Sequence, residues 1–339
     1  MPLLVRAFHL QPDAGFHLGE HGIGLEASAD YLHADTLFGA LCFAWAEAHG
    51  ESDLPPLLAE YQRGEGRFYL SSAFPYAGGV RFFPRPALPW PVETEAAERL
   101  REVRWVSEGI FRAWVAGQDL TAEVTAGTVT PDGLWLTRAE RPQLPPRPPG
   151  GSFWTTATVP RVTVDRQTNR STVYAVGRVV FAPGCGLFCL AAAPDGDWLA
   201  FLAEALERLG ERGLGGERSV GYGQFRVATV VDWPPPAGSG PLAVTLSLYH
   251  PTLADLTGGV LGPGARYRLL RRGGWISSPA WRGLRARVVQ MVAEGSVLVR
   301  PPDGRWPGDL VEVTPPRAAG PAHPVYRYGI AFLVGLADR

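Results

Sequence analysis

Apolar and polar positions alternate from Leu3 to Leu10, with Leu4, Phe8 and Leu10 on one side and Val5, Ala7 and His9 on the other. A period of two is that of a strand with two distinct faces. After a polar, glycine-bearing stretch the period lengthens. Leu37, Leu41, Trp45 and Ala48, flanked by Phe38 and Cys42, form a broad apolar stripe, which predicts a core-facing helix running to about His49 with Asp35 as its N-cap. Arg67 to Phe74 returns to strand character. Pro84, Pro86, Pro89 and Pro91 then break the pattern, Leu100, Val103, Ile110 and Trp114 predict a helix from about Glu93 to Ala116, and Pro142 to Gly151 is proline-rich again. The span from about 80 to 150 therefore reads as an insertion in a simpler core.

A polar extended segment, Pro160 to Arg170, leads into strand-like runs at Thr172 to Phe181 and Gly186 to Ala193. A second helix is expected from Trp198 to about Arg212, capped by Asp197, with Leu199, Leu202, Leu206 and Leu209 on one face. Gly213 stands where a left-handed C-cap belongs, and Gln224 to Val231 resumes strand alternation. Strand, helix, strand, strand, helix, strand is the order of a ferredoxin-like unit, here spanning 1–232. Trp233 to Gly240 has the proline and glycine content of a linker. Beyond it, Thr245 to Tyr249, Tyr267 to Leu270, Val288 to Ala293, Leu310 to Thr314 and Tyr328 to Val334 predict a β-rich unit over 241–339.

Between the second helix and the following strand lies Gly213-Leu-Gly-Gly-Glu-Arg-Ser-Val-Gly-Tyr-Gly-Gln-Phe225, with five glycines in the eleven positions from Gly213 to Gly223. Such a backbone can come close to a partner and turn its N–H groups to phosphate, and it equally suits a plain connecting turn. It is not a Walker A loop, which needs a lysine, and this chain has none. It follows a helix and precedes a strand, the reverse of a dinucleotide-binding fingerprint. Ser219, within Gly216-Glu-Arg-Ser-Val-Gly221, misses the nucleophile elbow by one position. His33 is the best candidate for acid–base chemistry or phosphate contact, although a histidine before a helix also suits a structural hydrogen bond. His17 and His21 stand four apart in a loop, where that spacing imposes no shared face.

A chain of 339 residues, 46% hydrophobic, buries a sizeable core and is expected to form two domains. No run of about 18 uncharged apolar residues occurs, and three cysteines are too few for a disulfide framework. A cytoplasmic protein with no membrane association is the expectation. Cys185 and Cys189 lack a second Cys/His pair at finger-like spacing, so neither metal nor other cofactor is expected. The net charge of −1 argues against a general nucleic-acid coat, yet all 32 basic residues are arginines, suited to forked phosphate contacts and base stacking. Arg161, Arg166 and Arg170 face only Asp165. From Ala265 to Val289 stand seven arginines and no acid, a pattern of either an RNA or partner surface or charged edge strands.

Five segments taken together resemble one family: His33-Ala-Asp-Thr-Leu-Phe-Gly-Ala-Leu41, Arg161-Val-Thr-Val-Asp-Arg-Gln-Thr-Asn169, Gly213 to Phe225, Thr245-Leu-Ser-Leu-Tyr-His-Pro251 and His323-Pro-Val-Tyr-Arg-Tyr-Gly329. The chain is similar to the RAMP subunit of the type III-A CRISPR (Csm) effector that caps the 5′ handle of the guide RNA, the fourth Csm subunit. The resemblance implies an α+β protein of two ferredoxin-like (RRM-type) domains, the second degenerate, and a non-catalytic, RNA-binding role in antiviral defence. It implies partners in the crRNA 5′ handle, the large palm-domain subunit and the backbone RAMP subunit. Carried over by position, it puts Gly215, Gly216, Arg218, Ser219 and Tyr222 at the RNA and adds His33, Thr36, Arg161 and Arg166 as contacts. Related RAMP proteins cut repeat RNA with a histidine, which keeps a metal-independent endoribonuclease using His33 as the alternative.

Overall fold

A computed structural model describes residues 3–19, 28–125, 127–147, 151–164, 171–276, 278, 281, 283–315 and 323–338. Strand β1 (Leu4–Pro12) precedes helix α1 (Ala34–His49), then α2 (Leu54–Gln62) and the short strands β2 (Tyr69–Leu70) and β3 (Phe74–Ala77). Next come β4 (Val80–Pro84), α3 (Thr94–Glu98), β5 (Trp105–Ser107), α4 (Glu108–Val115) and β6 (Leu134–Trp135). A long hairpin of β7 (Trp154–Val164) and β8 (Ser171–Phe181) leads to β9 (Cys185–Ala193), α5 (Gly196–Arg212) and β10 (Phe225–Asp232).

These strands build one large mixed sheet in the order β10-β1-β9-β3-β4-β5-β6, with β2 also paired to β9. The first four neighbours are antiparallel, and only β5 and β6 run parallel. The alternation seen in the sequence of β1 sends Phe8 and Leu10 to one face and Ala7 to the other. On the first face lie α1, α2 and α5, contributing Leu37, Leu41, Leu57, Leu199, Leu202 and Leu206 to a shared core. On the second, Phe74, Tyr76 and Phe188 are buried under the 80–135 segment and under Val244, Leu246 and Phe332 of the C-terminal half.

Several local expectations give way to tertiary contacts. The N-cap of α1 is His33, because the Asp35 carboxylate is drawn to arginines of the C-terminal half instead of the helix's own N–H groups. Asp195, not Asp197, caps α5, its Oδ1 accepting from the amides of Asp197 and Trp198. Gly213 ends α5 with a φ of 83° and a ψ of 150°, positive but outside the left-handed helical region. The single helix expected from Glu93 to Ala116 is two helices split by β5. Residues Trp105 to Ser107 pair with β4, and the Ser107 hydroxyl then accepts from the Ile110 amide to start α4. Strands β4, β5 and β6 lengthen the main sheet, so the 80–150 segment shares its core.

The C-terminal half holds β11 (Leu242–Thr245), α6 (Leu253–Thr257), β12 (Leu269–Arg272), β13 (Val289–Val292), β14 (Val297–Val299), β15 (Leu310–Glu312), β16 (Tyr326–Tyr328) and β17 (Leu333–Gly335). Strands β14, β11 and β17 form a small sheet, while β12–β13 and β15–β16 are two-stranded ribbons. The segment joining the halves starts in the core: Trp233 is 1% exposed, its amide donates to the Val5 carbonyl and its indole N–H to Glu108.

Candidate nucleic-acid interface

The glycine-rich stretch doubles back on itself at the end of α5. The Leu214 amide donates to the Gly223 carbonyl at 2.9 Å, the Gly223 amide to Gly15, and the Gly216 amide to His17. Gly215 and Gly223 admit no side chain. Gly215 has a φ of 89° and a Cβ there would lie 2.4 Å from the His17 carbonyl oxygen; at Gly223, φ is 81° and the Leu214 oxygen would be 2.0 Å away. Much of the close approach these glycines permit is thus to the protein's own chain. What the fold leaves outward is the turn Arg218–Val220, whose side chains are exposed. Glu217 before it has a φ of 58°, the sole positive value of a non-glycine among the described residues.

Tyr222 is buried at 6%, and its hydroxyl accepts a 3.1 Å hydrogen bond from Arg161 Nη2, with the guanidinium carbon 5.4 Å from the ring centroid. This contact fastens β7 to the glycine-rich turn. His17 fastens β8 from the other side, its Nδ1 lying 2.6 Å from the Gly177 carbonyl. Hairpin, turn and the 15–18 segment therefore form one unit, and Arg161, Gly215, Gly216, Arg218, Ser219 and Tyr222 fall together on it. The Arg218 guanidinium has no hydrogen bond or ion pair among the described residues. Arg166 and His21 lie outside the described residues.

His33 and Thr36 fall elsewhere, in a buried joint between the halves. His33 is 4% exposed, its Nδ1 is 2.7 Å from Glu294 Oε1, and the Ser72 hydroxyl donates to the same oxygen at 2.5 Å. Burial pushes the Glu294 carboxyl up, but the charge of His33 and the hydrogen bonds from His33 and Ser72 outweigh it and leave it below the usual range. Asp35 is held by Arg272, at 3.0 Å to each carboxylate oxygen, and by Arg327. Burial here too favours the neutral acid, yet Arg272 and then Arg327 keep the Asp35 carboxyl well below the carboxylate range. The Thr36 hydroxyl, half-buried, donates to Asp35 and accepts from Arg272. Helix α1 begins at this joint, so the His33–Thr36 run serves inter-half packing, with no solvent-facing imidazole.

A polar cavity of about 220 Å³ went unread in the sequence; it is lined by Asp30, Arg104, Trp105, Asp132 and Trp154 among others. Asp30 accepts the indole N–H groups of Trp105 and Trp154 at 3.0 and 3.2 Å. No local spacing joins positions that far apart in the chain. Among the described residues no group of three or more His, Cys, Asp or Glu side chains converges as a metal site, and no helix is long and apolar enough to cross a membrane.

Residues 239–336 match the family model of the CRISPR Csm4 C-terminal domain. The chain is 28% identical over 322 residues to a Thermococcus onnurineus protein described as CRISPR system Cms protein Csm4, covering 91% of this chain and 92% of that one. A Mycobacterium tuberculosis protein of the same description is 27% identical over 331 residues, 95% of each chain. In fold, the chain is similar to a crystal structure of a Csm3–Csm4 subcomplex of the type III-A CRISPR-Cas interference complex, with a TM-score of 0.66, 14% identity and coverage of 99% of this chain and 100% of that one. It is also similar to a Csm1–Csm4 cassette in complex with pppApA, with a TM-score of 0.57, 21% identity and coverage of 100% and 99%.

Proposed function

The chain belongs to the Csm4 family of CRISPR Csm subunits, and from that premise we propose that it is the non-catalytic subunit of a type III-A complex that holds the 5′ handle of the guide RNA. Its partners in this reading are a Csm3-like backbone subunit and a Csm1-like large subunit, the proteins named alongside Csm4 in the similar structures. The N-terminal half is read as a ferredoxin-like unit of 1–232, supported by the antiparallel order β10-β1-β9-β3, and 241–339 as a degenerate second unit.

One observation carries the RNA assignment: the Arg161–Tyr222 contact ties the β7–β8 hairpin to the glycine-rich turn, setting on one unit Arg161 and Arg218, the latter without an ion pair among the described residues. The sheet face on which an RRM-type module stacks bases is filled here by the 80–135 segment, which leaves loops and hairpin to take the RNA. Arginine and backbone amides on such a unit suit single-stranded RNA. Arg161→Ala combined with Arg218→Ala is expected to lower guide-RNA retention in the purified complex by about tenfold. Unchanged retention, with the complex intact, refutes the site.

Absence of catalysis is read from the burial of His33 against Glu294, which leaves it no path to a scissile phosphate. Repeat RNA incubated with the purified protein under chelator is expected to stay whole. Cleavage that disappears in His33→Ala would establish the endoribonuclease instead.

A further inference from the structure

The ribbon β12–β13 continues past its strands: the Ile276 amide donates to the Leu284 carbonyl, the Ala286 amide to Gly274, and Trp275 bridges to Arg285. One face looks inward through Arg272, Ala286, Val289 and Met291. The other carries Arg271, Trp275 and Arg285 into solvent, with Arg266 and Arg268 exposed on the approach. Arg272 is neutralised by Asp35, whereas Arg266, Arg268, Arg271 and Arg285 have no acidic partner among the described residues. Like charge accumulates here further, since burial and then the Arg268 charge lower the Arg85 guanidinium.

We propose that this ribbon is a single-stranded RNA-binding surface, separate in its residues from the glycine-rich turn. Trp275 is 60% exposed and the Arg285 guanidinium stacks 4.7 Å from its ring centroid, a flat platform of the kind on which a base stacks. Successive outward positions on a ribbon recur about every 6.8 Å, so arginines and indole line up as a track. An acidic protein patch would satisfy the charge but not use the stacked indole. The turn and the ribbon also share a support: His17 accepts from Gly216, and two residues on, the Gly19 carbonyl accepts from Arg272 Nη1. A strand held at the turn thus has a basic path onward.

The test is fluorescence anisotropy of the full-length chain with a labelled 15-nucleotide oligouridine between 50 and 300 mM NaCl. Arg271→Ala/Trp275→Ala/Arg285→Ala is expected to bind about tenfold more weakly, with a log–log salt slope shallower by about 1.4 for two lost phosphate contacts. Wild-type affinity and slope in that variant overturn the proposal, as does absence of binding by the wild type at 50 mM salt. If the variant instead sheds a protein subunit from the complex while its RNA affinity is unchanged, the ribbon is a protein-docking surface and the proposal fails. Should the triple variant melt below wild type, Trp275→Ala alone decides: a loss of about threefold or more supports the platform and no loss overturns it. Arg161→Ala/Arg218→Ala in parallel reports on the turn, so either surface can fail without the other.

Discussion

Arg272 reaches across 237 positions of chain to grip both oxygens of Asp35, Nε on Oδ2 and Nη2 on Oδ1, each at 3.0 Å. The pair is almost completely withdrawn from water and ties the start of α1 to the basic ribbon of the other half. A forked guanidinium–carboxylate contact fixes orientation as well as distance.

Removing the acid takes from Arg272 and Arg327 the buried carboxylate that they share. Asp35→Ala is expected to destabilise the protein by roughly 3–5 kcal/mol at pH 7, read as a lower urea midpoint. The sign with pH follows from a folded pKa below the ordinary 3.8: the stabilisation is present above that value and fades only as pH falls through the folded one. The gap between wild type and Asp35→Ala should therefore stay constant from pH 7 to about 5 and narrow only in stronger acid.

His9 sets the acid response at milder pH. Burial, then the Arg81 charge, lowers its imidazole from 6.5 to about 4, and its Nδ1 has no hydrogen-bond partner among the described residues. The unfolded chain takes up this proton from about pH 6.5 downward while the folded one does not, so the His9 contribution to stability falls as pH drops and levels off below about 4. The loss amounts to roughly 3 kcal/mol over that window. His9→Phe should flatten that part of the pH–stability curve measured by denaturant titration.

Gly223→Ala places a methyl against the Leu214 carbonyl at a positive φ, whereas a Cβ at Gly221, also at positive φ, meets nothing within 4 Å. The Gly221 change is expected to cost about 1 kcal/mol of backbone strain, and the Gly223 change more than about 2 kcal/mol because contact adds to strain. Limited proteolysis between 213 and 224 should rise markedly only for Gly223→Ala.

The three cysteines should be chemically quiet. Burial pushes the Cys42 and Cys189 thiols up to about 12 and Cys185 to about 11, which suppresses the reactive thiolate. Thiol-reagent labelling at pH 8 is expected to be more than about tenfold slower in the native protein than in denaturant.

The amphipathic periods of β1, α1 and α5 were legible because each is a local consequence of which side chains flee water. The glycine-rich turn was legible for a similar reason, since glycines mark backbone that other residues cannot adopt. Arg161 and Tyr222 were both picked out by position, but their contact across 61 residues was not. His33 was picked out as well, and its partner Glu294 lies 261 positions away, beyond the reach of any spacing rule.

By itself, then, the sequence determined β1, α1, β9, α5 and β10 in that order, the glycine-rich turn and the basic character of 265–289, all set by side-chain chemistry within a few residues. Tertiary structure alone decided which charges are spent internally. It buried Asp35, Glu294, His33 and Arg272 in the joint, where desolvation is tolerable only with a partner at hydrogen-bond distance, and left Arg218, Arg271 and Arg285 outside. It also split the expected long helix, because pairing Trp105 to Ser107 with β4 satisfies backbone groups and buries Trp105 and Val106 together.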